Sequence, residues 1–499
     1  MTGASDGSVS PVVVIGAGPA GLTAAITLAR HGIAVLLVER RAEGSELPRA
    51  TVLSVRTMET LRALRLADRV LAGGVDVEMS MLEIPTAAGA AEGWRIDIGY
   101  PSPHQSSIAS PMSPACVPQD HLESVLLEHL ASLPGTTVER GVEAVAARQT
   151  PEHVIVTLRD VSSGSQVDVT AEYVIAADGA KSSLRSAAGI DYVGLDGLIE
   201  GVMAEFHAPL WELMGAHRHG VYAVTDPVGA GILAPAGPDD RWLFGCDLNG
   251  DLLTDATSAR EQLRHRIEHA AGVRGIPIRI DRFGWFTSAA QMADTFNSGR
   301  VYLAGDAAHR VTPRGGTGLN TAIASGRDLG WKLAWVLLGW APPLFLSTYE
   351  GERRPVVSHN VTRSADPEGT RRDALTELQV DLGGRITHAW IDAQPPESDA
   401  RRSTIDMVGP GLTLFLGPGA EASSADPAWA GSAPLTTVPL PAIAARALGI
   451  GPAGAVLVRP DGLPVASWWT VNDSRSNVIR AIDSFTTPPQ STEPTGSAA

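Results

Sequence analysis

The apolar positions of this chain change their period several times, and each change marks an element. Residues 11–16, PVVVIG, form a short unbroken apolar run that reads as a buried strand. The following LTAAITLARHG spaces its apolar residues as a helix does, and residues 33–38 form a second apolar run ending at Glu39. Strand, helix and strand in that order predict a parallel βαβ unit. Residues 117–130 place Leu122, Leu126, Leu127 and Leu130 on one helical face. Residues 138–145 and 154–167 read as strands, with the polar SSGSQ as a hairpin turn. A further strand is expected over 301–304, and a long helix begins near Gly318 after a Pro/Gly-rich loop. Between these segments, 72–100 and 191–282 hold strand-like pieces such as GWRIDIGY and RWLFGCDL, punctuated by Gly and Pro. They predict a sheet-rich domain inserted into an α/β one.

A chain of 499 residues is too long for one ordinary core, so two or three domains are expected. A hydrophobic content of 44% with 19% charge describes a globular protein. The net charge of −16 argues against nucleic acid and anionic membranes as partners. Cys116 and Cys246 lie far apart, in no metal-ligand or C-x-x-C spacing, so neither a metal site nor a disulfide is expected, as suits a reducing cytoplasm. Residues 1–10 are a polar tail without the pattern of a signal peptide, and 486–499 have a disordered composition. The apolar run 333–346 is broken by Pro342 and Pro343 and reads as a buried helix, not a membrane span.

Chemistry concentrates in three places. Gly16, Gly18 and Gly21, with Pro19 and Ala20 between, form G-x-G-x-x-G between the first strand and its helix. With Glu39, followed by Arg40, at the end of the next strand, this predicts a dinucleotide whose phosphates meet the helix N-terminus and whose ribose hydroxyls meet the carboxylate. An acid suits an unphosphorylated ribose, as in FAD or NAD. Asp178 ends the run VIAADGAKSSL beside a glycine, where ligands enter an open parallel sheet. Asp306, in VYLAGDAAHRVTPRGGTGLN, stands at a strand end before Gly315, Gly316 and Gly318, which let a ligand approach backbone at a helix N-terminus.

These three motifs, in this order and spacing, resemble those of the group A FAD-dependent aromatic hydroxylases, the flavoprotein monooxygenases related to para-hydroxybenzoate and phenol hydroxylases. The last segment resembles the family pattern GDAAH, Pro, GG-x-GLN, and Asp178 to Arg185 resembles DG-x-x-S-x-x-R. The resemblance implies a Rossmann-like FAD-binding domain of the glutathione reductase type in 11–71, 101–190 and 283–384, and a substrate-binding domain in 72–100 and 191–282. It implies that Asp306 meets the ribityl chain and that Pro313, Gly316, Gly318, Leu319 and Asn320 wrap the isoalloxazine, with Pro313 and Gly316 as candidates for a direct part in catalysis. Arg49, in PRATVLSVRTME, Gln119, in PQ-x-x-LE, and Val145 are implied cofactor contacts. Arg56 reads as structural, and His121 stands where an arginine is commoner. His309 is expected to brace the flavin loop.

The implied cycle has NADPH or NADH reduce FAD, O2 add at C4a, and the resulting hydroperoxide transfer one oxygen to an aromatic substrate. Residues 385–485 lack cysteine and resemble the thioredoxin-like C-terminal extension of one branch, whose members include polyketide-tailoring hydroxylases. A bulky phenolic or polycyclic natural product is therefore expected, in biosynthesis or in antibiotic inactivation, with the protein a monomer or homodimer. A Baeyer-Villiger oxygenase of a polycyclic ketone and a non-catalytic FAD or intermediate-binding protein are the alternatives. Trp94, Trp211, Trp242, Trp285 and Phe286 are candidates for an aromatic pocket, although each taken singly reads first as core packing.

Overall fold

The computed structural model describes residues 9–44, 50–247, 256–391, 402–420, 433–470 and 474–487. Ser10–Ile15 lies inside a sheet because its apolar residues are covered on both faces, with Val12, Val13 and Val14 at 0% exposure. It pairs in parallel with Val35–Glu39 on one side and Gln166–Ala176 on the other. Val301–Leu303 lies parallel beyond Gln166–Ala176, and Thr136–Arg140 parallel beyond Val35–Glu39. The helix Pro19–Arg30 makes the first crossover. Val142–Gln149 and Val154–Asp160 extend the sheet antiparallel. The strand expected over 138–145 is broken at Gly141, whose φ of +72° turns the chain. The polar turn forms where expected, with Asp160 accepting from the amides of Ser162 and Ser163.

A second sheet of eight strands holds both inserted segments. Its expected boundary at residue 282 is corrected. Arg279–Ala293 runs across that point as one strand, paired with Tyr192–His207 along its length, and His309–Arg310 adds to its edge. Alternation divides this sheet into two faces. One packs Phe206, Tyr222, Trp242 and Phe244 against Leu263 and Ile267 of the helix Ala256–Ala271. The other carries Met81 and Ile96 with Val221 and Ala223.

Trp331–Glu352 and 384–499 form a separate compact unit, so the stretch 283–384 is not wholly part of the cofactor domain. Trp331, Trp335 and Phe345 bury with Leu412, Leu414 and Leu457. In the four-stranded sheet of this unit, Leu412–Leu416 is parallel to Leu435–Pro439 and antiparallel to Ala455–Val458, which pairs antiparallel with Pro464–Trp468. The apolar run 333–346 is split between the end of the helix Gly318–Leu337 and the turn Pro343–Leu346. Among the described residues no helix is long and apolar enough to cross a membrane. Ser10 and Thr486 belong to a strand and a helix, not to the expected tails 1–10 and 486–499.

Candidate cofactor and active site

Parallel pairing brings four sequence-distant points to one sheet edge. Ile15 is in register with Val38 and Ala176, and Ala176 with Leu303. The chain leaves these strands at Gly16, Glu39, Asp178 and Asp306, so the three motifs converge without any being near another in sequence. Gly16 turns with φ +104°, and a Cβ there would lie 2.3 Å from the Ala177 carbonyl oxygen. At Gly21 a Cβ would lie 2.0 Å from the Gly16 oxygen, so the helix packs against the turn at a distance only glycine allows. Around a Cβ at Gly18 no atom of the described residues comes within 4 Å, which leaves the helix start open to an approaching group. Gly18 is the N-cap and supplies no side-chain cap to the helix Pro19–Arg30. The first-turn amides, Ala20 and Gly21 included, therefore face the place where a pyrophosphate fits.

Glu39 Oε2 accepts from the Ala17 amide at 2.8 Å and Oε1 from the Arg41 amide at 3.0 Å, which fixes the carboxylate and leaves lone pairs for ribose hydroxyls. Arg40 is exposed and Arg49 lies outside the described residues. Gln119 starts the helix Gln119–Ser132 and donates to Glu123 Oε1 at 2.7 Å. Val145 sits at a register shift between Ala144 and Ala146, a bulge that re-aims its side chain.

Asp178 Oδ1 is buried and has no hydrogen-bond partner among the described residues. Burial raises the Asp178 carboxyl, against hydrogen bonds led by that from Ser182. A buried acceptor with nothing to accept marks a ligand-facing position. Arg185 donates to the Ala180 carbonyl at 3.2 Å and lies 3.8 Å over the ring of Tyr192, whose hydroxyl donates to the Asp306 carbonyl. Tyr192 thus joins the second motif to the third, a role with no local sign among its neighbours in the chain. Asp306 is exposed within the turn Gly305–Ala307. The glycine cradle, the fixed carboxylate and the orphaned Asp178 oxygen fit an FAD molecule lying across the strand ends.

The loop before the helix Gly318–Leu337 is held from behind. Gly316 donates its amide to the Pro313 carbonyl at 3.1 Å, and its own carbonyl accepts from Tyr100 Oη and from Asn320 Nδ2, both at 3.1 Å. Asn320 also donates to Val52 O at 3.2 Å and accepts the Ser54 amide at 2.8 Å. Its side chain is therefore a brace between two backbone segments, and Leu319 is buried beside it. Tyr100 packs among Met81, Ile96, Ile98, Val221 and Ala223, so it joins the loop to the second sheet. His309 is 1% exposed, with Nε2 3.3 Å from Ser325 Oγ, and burial lowers its pKa to about 3. It stays neutral and acts as a brace.

Asp381 completes this support. It accepts from Ser54 Oγ and from the Arg56 amide, both at 2.9 Å, and burial pushes its carboxyl up to about 6. A folded value above the unfolded one means that the native protein binds the extra proton between the two. The stability from this group is full below about pH 4 and falls as pH rises through 6. Urea unfolding is expected to lose on the order of 2–3 kcal/mol from it between pH 4 and 7, and Asp381→Asn to flatten that part of the profile.

The second sheet is clamped to the cofactor side by charge. Arg241 donates to Asp120 Oδ2 at 2.5 Å and to Glu205 Oε1 at 2.9 Å, and Arg282 reaches Glu205 Oε2 at 2.9 Å. Asp120 directly follows Gln119, so the clamp closes on the first turn of a helix assigned to the cofactor. Of the aromatic candidates, Trp242 is fully buried and Trp211 packs against it at 4.4 Å between ring centroids, both with the core cluster beneath the helix. Trp94 and Trp285 are 71% and 53% exposed, and Phe286 is half-buried over Gly201.

Residues 9–364 match the family model described as FAD binding domain. Aklavinone 12-hydroxylase RdmE of Streptomyces purpurascens is 31% identical over 95% of this chain and 97% of its own. Among solved structures, aklavinone-11 hydroxylase in a ternary complex with FAD and aklavinone superposes with a TM-score of 0.82 at 28% identity, covering 95% and 98% of the two chains. The flavin-dependent monooxygenase PieE, in complex with FAD and substrate, superposes at 0.85 with 26% identity over 96% and 99%. The protein belongs to this FAD-binding family and is a FAD-dependent monooxygenase of the aromatic hydroxylase kind.

Proposed function

We propose that the protein hydroxylates a bulky phenolic or polycyclic aromatic natural product, with NADPH or NADH as electron donor and O2 as oxidant. The observation that carries this reading is Tyr100, which bonds the Gly316 carbonyl while packing in the apolar cluster of the second sheet. An apolar wall is thereby set against the loop assigned to the isoalloxazine, and likeness to aklavinone hydroxylases supports a polycyclic substrate.

Bound FAD would supply the redox chemistry, taking electrons from the nicotinamide and delivering one oxygen atom from O2. The protein's own residues do the rest. Gly16, Gly18, Gly21, Glu39, Asp178 and Asp306 hold the cofactor. Tyr100 and Asn320 fix the Pro313–Gly316 turn, and Met81, Val221 and Ala223 keep water from that side. The C-terminal unit is assigned as a thioredoxin-like domain without redox cysteines, a reading supported by its strand order and directions. A cytoplasmic protein, monomeric or homodimeric, fits two unpaired buried cysteines.

Anaerobic stopped-flow reduction of the bound flavin by NADPH, with and without a panel of polycyclic phenols, tests the function. A panel member is expected to speed bleaching at least tenfold and to yield a hydroxylated product in air. A product with oxygen inserted between two carbons would instead establish the Baeyer-Villiger reading. A flavin that stays oxidised with every member would leave a FAD-binding protein without this activity.

A further inference from the structure

The strand Glu78–Ile84 divides its side chains between the two faces of the second sheet. Leu82 and Ile84 belong to the core that includes Leu263 and Ile267, while Met81 belongs to the cluster that packs with Tyr100. Alternation places Glu83 with Met81, on the side of Tyr100. Register agrees across both neighbouring strands. Met81 is paired with Ile96 and Val221, both of the Tyr100 cluster. Glu83 is paired with Trp94 of the strand Trp94–Ile96 and with Ala223 of the strand His219–Val224. Trp94, Glu83 and Ala223 thus form one row at the rim of the apolar wall, about 7 Å along the sheet from Met81.

The row carries a single charge. Among the described residues the Glu83 carboxylate makes no hydrogen bond or ion pair, although its side chain is half-buried. Its cross-strand neighbours are a methyl group and an indole, where a partner of opposite charge would have stabilised the sheet. Arg95 is no such partner, because it is in register with Leu82, on the other face, and donates to Glu78 and Asp97. Trp94 is 71% exposed, so its ring is open to another aromatic ring. An acceptor without a donor, beside an open indole, suits a hydroxyl carried on an aromatic ring.

We propose that Glu83 is a specificity-determining residue that accepts a hydrogen bond from a phenolic hydroxyl of the substrate, with Trp94 stacking beside the ring that carries it. A charged acceptor makes a hydrogen bond roughly twice as strong as a neutral one. The same charge repels an ether or ketone oxygen brought to this position, so discrimination comes from both attraction and repulsion. This assignment rests on the function proposed above.

The probes are 2,6-dihydroxyanthraquinone and its dimethyl ether, each titrated against the flavin fluorescence of the holoenzyme. Wild type is expected to bind the dihydroxy compound at least tenfold more tightly than the ether. Glu83→Ala is expected to keep wild-type FAD content and to bring the two affinities to within about twofold. Glu83→Gln retains an accepting oxygen without the charge and should fall between. Trp94→Ala should weaken both compounds alike. A hydroxyl preference retained in Glu83→Ala overturns the assignment, as does a wild type that does not distinguish the pair or a Trp94→Ala variant that binds both as before. A wild-type flavin that responds to neither compound, nor to aklavinone, removes instead the function on which the assignment rests.

Discussion

Gly21→Ala is expected to purify almost free of FAD, with apoprotein binding added FAD at least 100-fold more weakly than wild type, a difference of about 3 kcal/mol. The added methyl would sit 2.0 Å from the Gly16 oxygen and 3.3 Å from the Ala177 Cβ, and both neighbours are held just past the strand ends, Gly16 donating to Val38 O and Ala177 to Ile15 O, each at 2.8 Å. The helix must therefore shift away from the turn by more than an ångström. That displacement moves the first-turn amides off the pyrophosphate position, while the rest of the sheet keeps its buried strands. Absorbance at 450 nm against protein concentration reads the occupancy, and fluorescence titration of the apoprotein reads the affinity. Wild-type occupancy in this variant would show that the cofactor does not use this turn. The comparison with Gly18 sharpens the test, since a Cβ at Gly18 meets no atom of the described residues within 4 Å, so any loss of FAD in Gly18→Ala is expected to come from the ligand and not from a shifted helix.

Glu352→Gln should carry the largest stability cost in the C-terminal unit. Lys332 is fully buried, and its ammonium lies 3.1 Å from Glu352 Oε2. The same carboxylate accepts from Arg459 Nη1 at 3.0 Å, and Arg459 also donates to Asp461 at 2.8 Å. Removing one partner of a buried pair costs about 3–5 kcal/mol, and about 3 is expected because Glu352 keeps roughly a third of its side chain in water. Chemical denaturation measures this loss. Its pH dependence follows from sign: burial alone raises the Glu352 carboxyl, yet the hydrogen bond from Arg459 and the charge of Lys332 bring it below its usual value. Its stability is thus present above the ordinary carboxylate range and lost as pH falls through the depressed value. The gap between wild type and Glu352→Gln should accordingly close in acid. A gap that persists unchanged at pH 3 would contradict the ionic origin.

Much of the candidate cofactor site was legible because its residues announce themselves by local necessity. Gly16 and Gly21 are glycines where backbone oxygens stand 2.3 and 2.0 Å from an added Cβ, Glu39 ends an apolar strand and Asp178 lies two residues past the end of another. Tyr100, Tyr192 and Asp381 carried no such sign. Each works through a partner more than 100 residues away, Gly316, Asp306 and Ser54. Asn320 was read as a flavin-loop residue, and its side chain proves to tie that loop to Val52 and Ser54. The boundary at residue 282 failed for a related reason. Gly284 interrupts the apolar pattern, but the backbone pairing of Arg279–Ala293 with Tyr192–His207 does not depend on a side chain there.

By itself, then, the chain determined its βαβ start, its three turns at the strand ends and its inserted sheet, since period and glycine placement are properties of contiguous residues. Only the tertiary structure decided which strand ends meet, which face of the second sheet packs with Tyr100, and that Trp331–Glu352 packs with the C-terminal unit. Those outcomes depend on register and burial between segments far apart in sequence, and no local pattern records them.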